Sequence, residues 1–282
     1  MTIQVFYDPR QSTPDNHSRS PSAGKPALCV AEWLRLGYAE VISFDPVDRV
    51  DFYRVHAARH VDAVLDCRKD NGFDNRLPQV AATLPWTTGS LVAAACRAWA
   101  TRKNTCSPTS GFHHACFASC GGFCTFNGLM VATALIMDID PVPKVGILDL
   151  DQHFGNGTED IIEKCGYDGV MHYTFGGCER GSWQWRGNGN AERWLQDLPG
   201  IVAGFKHCDV VLYQAGADPH VDDPFGGALS SAQLRRRDRI VFQGFKALGI
   251  PVAWNLAGGY QEPVEKVVNI HTATMEECLE TL

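Results

Sequence analysis

The chain has 282 residues, 45% of them hydrophobic, and carries 25 Lys+Arg against 32 Asp+Glu, a formal net charge of -7. That length buries a substantial core in one large α/β domain without requiring a second, and a net negative charge repels phosphate backbones and anionic membrane faces, which argues against nucleic acid or membrane as a partner. The start, MTIQVFYDPRQ, lacks the basic and apolar regions of a secretory signal, no later apolar run is long enough to span a bilayer, and the cysteines number 11, an odd count; the chain is therefore read as cytoplasmic, with reduced thiols.

In chain order, a first strand is predicted at 3–7, a polar, turn-rich surface loop at 10–26 (RQSTPDNHSRSPSAGKP), and a helix at 27–36. Helical patterning returns at 51–67, 88–102, 127–137, 158–164, 191–205 and 230–248. Between these lie three continuous apolar runs, 144–151 (KVGILDLD), 209–215 (DVVLYQA) and 251–257 (PVAWNLA). Such runs alternating with helices imply a parallel sheet covered on both faces. They lead into Gln152-His153-Phe154-Gly155-Asn156-Gly157, Gly216-Ala217-Asp218 and Gly258-Gly259-Tyr260. Ligands of open α/β sheets bind outside the carboxyl ends of the strands, so these loops are expected to converge on one site. No repeat or linker divides the chain, and residues 1–282 are expected to form a single domain.

The strongest chemical signal is Asp149-Leu150-Asp151-Gln152-His153. If the extended conformation persists to His153, all three polar side chains share one face of the strand. Two carboxylates at the end of an apolar strand repel each other and are costly to desolvate unless a cation joins them. The plainer alternative, a pair of helix-capping acids, does not account for His153 or for Asp218 at the end of another predicted strand. Two carboxylates and an imidazole suit an open catalytic zinc site, and equally manganese or iron(II). Hydrolysis by metal-activated water also needs a base, and a proton for the leaving amine; His113-His114 offers both. Cys116, Cys120 and Cys124 are spaced unlike a zinc knuckle and are read as structural thiols.

Five segments stand in one order along the chain: Gly111-Phe112-His113-His114-Ala115, Gly122-Phe123-Cys124-Thr125-Phe126-Asn127, 147–158 (ILDLDQHFGNGT), Gln214-Ala215-Gly216-Ala217-Asp218 and Gly258-Gly259-Tyr260, with weaker matches at 55–61 and 71–73. In this set the chain resembles the histone deacetylase and acetylpolyamine amidohydrolase superfamily. The resemblance implies a three-layer, arginase-like α/β fold, a central, mostly parallel sheet of about eight strands flanked by helices. It implies zinc on Asp151, His153 and Asp218, His114 as general base and acid, and His113 beside it, oriented by Asp149. Asn156 stands where the partner of His114 belongs; being neutral, it leaves the His114 pKa lower than an Asp would. Tyr260 matches the tyrosine that donates to the substrate carbonyl. Phe123, Phe225, Gly122, Gly258 and Gly259 are implied in the substrate channel, and a potassium ion is implied behind the zinc, with Thr174 as its side-chain ligand.

The chain departs from that pattern at Phe154, where a second histidine is common, at Thr125, which replaces an aromatic, and over the short segment 176–190, where only Trp183 or Trp185 offers a second channel wall. Three functions remain in competition: a zinc deacylase of acyl-lysine in proteins or peptides, a deacylase of acetylpolyamines or another small N-acyl amine, and a non-catalytic acyl-lysine binder. The last requires a lost catalytic group, and His113, His114, Asp151, His153, Asp218 and Tyr260 are all present.

Overall fold

A computed structural model describes residues 1–139, 142–176 and 190–282. Its strands are β1 (Ile3–Phe6), β2 (Ala39–Ile42), β3 (Thr105–Ser107), β4 (Val145–Asp149), β5 (Met171–Thr174), β6 (Val210–Gly216) and β7 (Val252–Ala257). They form one sheet of 7 strands in the order β2-β1-β3-β7-β6-β4-β5, and every pairing is parallel. Among the described residues this is one strand fewer than expected. The three apolar runs seen in the sequence are its centre: β4, β6 and β7 are buried at every position, as strands covered on both faces must be.

Helices α1 (Lys25–Arg35), α7 (Asn190–Gly204), α8 (Ser231–Leu248) and α9 (Glu265–Leu279) pack on one face, around Trp33, Phe205, Phe242 and Trp254. On the other lie α2 (Arg49–Tyr53), α3 (Ala58–Leu65), α4 (Pro78–Thr101), α5 (Gly128–Met137) and α6 (Asn156–Cys165), around Phe52, Leu91, Leu129 and Leu212. This is the three-layer α/β architecture that the sequence led us to expect. No helix among the described residues is long and apolar enough to cross a membrane.

Several elements differ from expectation for physical reasons. The helix predicted at 51–67 is two, because at the break the Ala57 amide bonds to the Phe117 carbonyl and the His56 side chain turns inward. Helix α4 begins ten residues before its predicted start, running through Pro85, since the face carrying Val80, Leu84 and Leu91 is buried strongly enough to tolerate the missing amide. The stretch 10–26 is not a surface loop: it holds two 3-10 turns, and Gln11, Asn16, Ser20, Ser22 and Lys25 are buried. β2, β3, β5 and α9 were not anticipated; the strands have only three or four residues, too few for an apolar period to register.

Candidate active site

The loops after β4, β6 and β7 meet because these strands are neighbours in the sheet. Strand β4 stops at Asp149, so the extended face anticipated through His153 does not exist. Two successive turns replace it: the Asp151 amide donates to Asp149 Oδ1 at 3.1 Å, and the His153 amide to Asp151 Oδ1 at 2.9 Å. Each is a carboxylate accepting from the backbone two residues on, the local bond for which Asp is favoured in turns. Asp218 is brought in by a long-range bond, the Gln152 amide donating to its Oδ1 at 3.1 Å.

The result is one compact donor set. His153 Nδ1 lies 3.1 Å from Asp151 Oδ1 and 3.0 Å from Asp218 Oδ2, and one ligand atom from each of the three residues falls within 4.8 Å of the others. Among the described residues no other group of His, Cys, Asp and Glu meets this standard, so Cys116, Cys120 and Cys124 do not form a metal cluster. Asp218 Oδ2 is buried, and its near polar neighbour is the ring nitrogen of His153. Burial drives the His153 proton off, but the hydrogen bonds and charges of Asp151 and Asp218 outweigh it and raise that pKa to about 11. Burial and repulsion from Asp151 raise Asp218. A centre with two buried carboxylates demands positive charge, and these carboxylates with the imidazole fit a divalent cation with open positions.

Beside this centre the rings of His113 and His114 lie 4.0 Å apart, and His114 is 5.9 Å from His153. His113 Nδ1 bonds Asp149 Oδ2 at 2.7 Å, and Gln214 Nε2 donates to the other oxygen of Asp149 at 3.2 Å. Burial depresses His113, yet Asp149 and Asp151 overcome it and raise the pKa to about 9. His114 behaves oppositely. Its Nδ1 meets Asn156 Oδ1 at 2.6 Å; with an amide oxygen as acceptor, Nδ1 holds the proton and Nε2 keeps the lone pair. Burial and the charge of His113 lower its pKa to about 4, with Asn156 only a partial offset. Two adjacent histidines with pKa values pushed apart are an acid–base arrangement.

Tyr260 stands across the site, its ring 5.5 Å from Phe123 and 4.9 Å from Phe225, the latter edge-on at 89°. Burial and the charges of Asp151 and Asp218 push its phenol pKa up, so it stays a donor. Phe225 is 44% exposed and borders a cavity of about 450 Å³ with Tyr260, Arg19, Asp222 and Glu262. Two glycines are obligatory here. A Cβ on Gly122 would lie 2.5 Å from His114 Cδ2, and one on Gly258 would lie 2.2 Å from Asp218 Cγ, with both backbones at positive φ. Gly259 shares the second turn at φ 87. Thr174 Oγ accepts from the Gly155 amide at 3.0 Å and lies 3.5 Å from the Gly176 carbonyl. Trp183 and Trp185 fall outside the described residues. One residue was missed in the sequence: Lys25, whose buried Nζ donates to the Gly258 carbonyl. His56, inside the weaker match at 55–61, accepts through Nε2 from the Asn127 amide at 2.9 Å, and Asp223, an acid of the rim, bonds the Tyr260 amide.

Residues 22–175 match the histone deacetylase domain family. The chain belongs to that family. On the crystal structure of the HDA15 HD domain it superposes with a TM-score of 0.78 at 22% identity, covering 99% of this chain and 88% of that one. It is 31% identical over 183 residues to an uncharacterized protein of Picosynechococcus, 59% of each chain, and 29% identical over 175 residues to acetylpolyamine amidohydrolase 1 of Pseudomonas aeruginosa, 52% of this chain and 48% of the other. This histone deacetylase family member thus spans about half the length of the curated relatives it matches.

Proposed function

We propose that the chain is a zinc-dependent amidohydrolase that removes an acetyl or other acyl group from the side-chain amine of lysine. What carries the reading is the compact centre in which Asp151, His153 and Asp218 converge beside the oppositely tuned pair His113 and His114. A divalent ion on those three residues supplies Lewis acidity, acidifying water and polarising the amide carbonyl. Around it the side chains divide the work. His114 Nε2, held neutral and aimed by Asn156, accepts the proton of the attacking water and returns it to the leaving amine. His113, fixed by Asp149, is the neighbouring electrostatic or proton-relay histidine, and the Tyr260 hydroxyl donates to the developing oxyanion. The intact set also favours an enzyme over a retired acyl-lysine binder. A potassium ion would draw on Thr174 and the backbone around Asp149, Asp151 and His153, and the Thr174 hydroxyl already accepts from Gly155.

Chelation is expected to abolish hydrolysis of an acetyl-lysine peptide and zinc to restore it, and His114→Ala to remove turnover while leaving metal content unchanged. Full activity in protein shown by elemental analysis to be metal-free sinks the reading.

A second reading, deacylation of acetylpolyamines, is favoured by the likeness to the amidohydrolase of Pseudomonas aeruginosa. Phe225 argues against it, because an exposed Phe at the mouth offers a distal ammonium only a cation–π contact of about 0.5–1 kcal/mol. The wild type is expected to show a higher kcat/KM for an acetyl-lysine peptide than for acetylspermidine or acetylputrescine, with Phe225→Glu narrowing the gap. A wild-type preference for the polyamine reverses the assignment.

A further inference from the structure

Asp223 is buried, 5% exposed, and is not among the residues proposed to hold metal or to move protons. Its two carboxylate oxygens are nonetheless both used at the mouth of the site. Oδ2 accepts from the Tyr260 amide at 2.7 Å, and Oδ1 accepts from the Phe225 amide at 3.0 Å. The rings of those two residues meet edge-on at 4.9 Å. The same turn is gripped from its other side, where the buried Lys25 ammonium donates to the Gly258 carbonyl. Gly258 and Gly259 both sit at positive φ, and neither can carry a side chain that would stiffen the turn from within. The backbone that carries Tyr260 is therefore held by groups outside the turn.

We infer that Asp223 is a positioning residue for Tyr260 and Phe225, one carboxylate that fixes the proposed oxyanion donor and the aromatic at the channel mouth as a single unit. The argument is geometric. The bond from the Tyr260 amide links the β7–α9 loop to the β6–α8 loop, and a neutral amide in place of the carboxylate has only one acceptor oxygen for two amide donors. Either Tyr260 or Phe225 then loses its anchor, and its N–H faces an NH₂ group. Displacing a reacting group by about 1 Å can cost on the order of 10²-fold in rate.

The inference rests on the function proposed above for Tyr260, so the experiment pairs an activity readout with one that does not need activity. In the zinc-loaded full chain, Asp223→Asn and Asp223→Ala are compared with wild type for metal content, amide hydrogen exchange at Tyr260, and kcat and KM on an acetyl-lysine peptide, alone and combined with Tyr260→Phe. Expected are unchanged zinc, faster exchange of the Tyr260 amide in Asp223→Ala and of the Tyr260 or the Phe225 amide in Asp223→Asn, a kcat loss of roughly tenfold or more in Asp223→Ala, and little further kcat loss when Tyr260 is already Phe. An equal loss in both backgrounds, or slow exchange retained in Asp223→Ala, overturns the role of Asp223. If the wild type hydrolyses no acyl amine, the proposed function fails, and the exchange rates still decide whether Asp223 seats the turn.

Discussion

Tyr260 and Gly258 lie two residues apart in one turn and are expected to fail differently. Removing the phenol hydroxyl in Tyr260→Phe deletes one donor to the oxyanion, a loss of roughly 10²-fold in kcat, with KM and zinc content little changed. If only KM rises, the hydroxyl binds the ground state and the assigned role is wrong. Gly258→Ala acts on the metal centre instead. The new methyl would sit 2.2 to 2.5 Å from the carboxylate atoms of Asp218, which must swing away from His153. Because Asp218 is fully buried between backbone segments, its displacement should weaken zinc binding by about 10–100-fold, as loss of a supporting contact does elsewhere. Competition with a chromophoric chelator measures this; unchanged affinity means that the turn relaxes around the methyl. The metal-ligand trio was legible in the sequence through residue type and spacing, and Tyr260 only through the family resemblance. Lys25 was not, since a single Lys in a polar stretch carries no pattern.

At the level of elements, the start of α5 rests on a buried histidine. His56 Nδ1 faces the Cys116 carbonyl at 2.9 Å and Nε2 accepts from the Asn127 amide, while the Asn127 side chain caps the helix through the Met130 amide at 3.1 Å. Both bonds need a neutral ring with its proton on Nδ1. Burial accordingly lowers the His56 pKa from 6.5 to about 4, and burial with the nearby Lys69 charge does the same for His60. With the folded pKa below the unfolded one, the unfolded chain binds more protons between these values. Stability contributed by neutral His56 is complete above pH 6.5 and is lost as the pH falls toward 4, on the order of 3 kcal/mol. Urea denaturation across that window should show a declining free energy of unfolding, and His56→Gln should lower stability at pH 7 while flattening the decline. An identical slope in the variant would assign the acid sensitivity to groups other than His56, among them His60.

Across the whole molecule, Arg237 ties the sheet to the helical layer beneath it. This fully buried residue of α8 donates through Nη1 to the Gly216 carbonyl at 2.6 Å and the Leu150 carbonyl at 3.3 Å, the ends of the two strands that lead to Asp218 and Asp151. Its Nε meets Asp238 at 2.8 Å, and Asp238 also accepts from Tyr213 of β6 and from Thr274 of α9. A buried pair of this kind adds little net stability when whole and costs much when broken, because the remaining charge is stranded. Arg237→Met is expected to destabilise the chain by about 3–5 kcal/mol, and Arg237→Met with Asp238→Asn by less than the single change. Chemical denaturation of both variants tests this, and a double variant weaker than the single would show that Asp238 is not the stranded charge.

The amino-acid sequence by itself determined the central strands, because β4, β6 and β7 are buried on both faces and announce themselves as unbroken apolar runs. It also determined the proposed catalytic and metal-binding set, because those residues occupy strand ends and turns whose chemistry is written within a few positions. Only the tertiary structure decided how these parts are held. The bond from Lys25 to Gly258 spans 233 positions, that from Arg237 to Leu150 spans 87, and that from Tyr260 to Asp223 spans 37. Contacts of that span depend on strand order and loop course rather than on local period. The turns that draw Asp151 and His153 together likewise arise where strand pairing ends, at Asp149, a boundary fixed by the neighbouring strands.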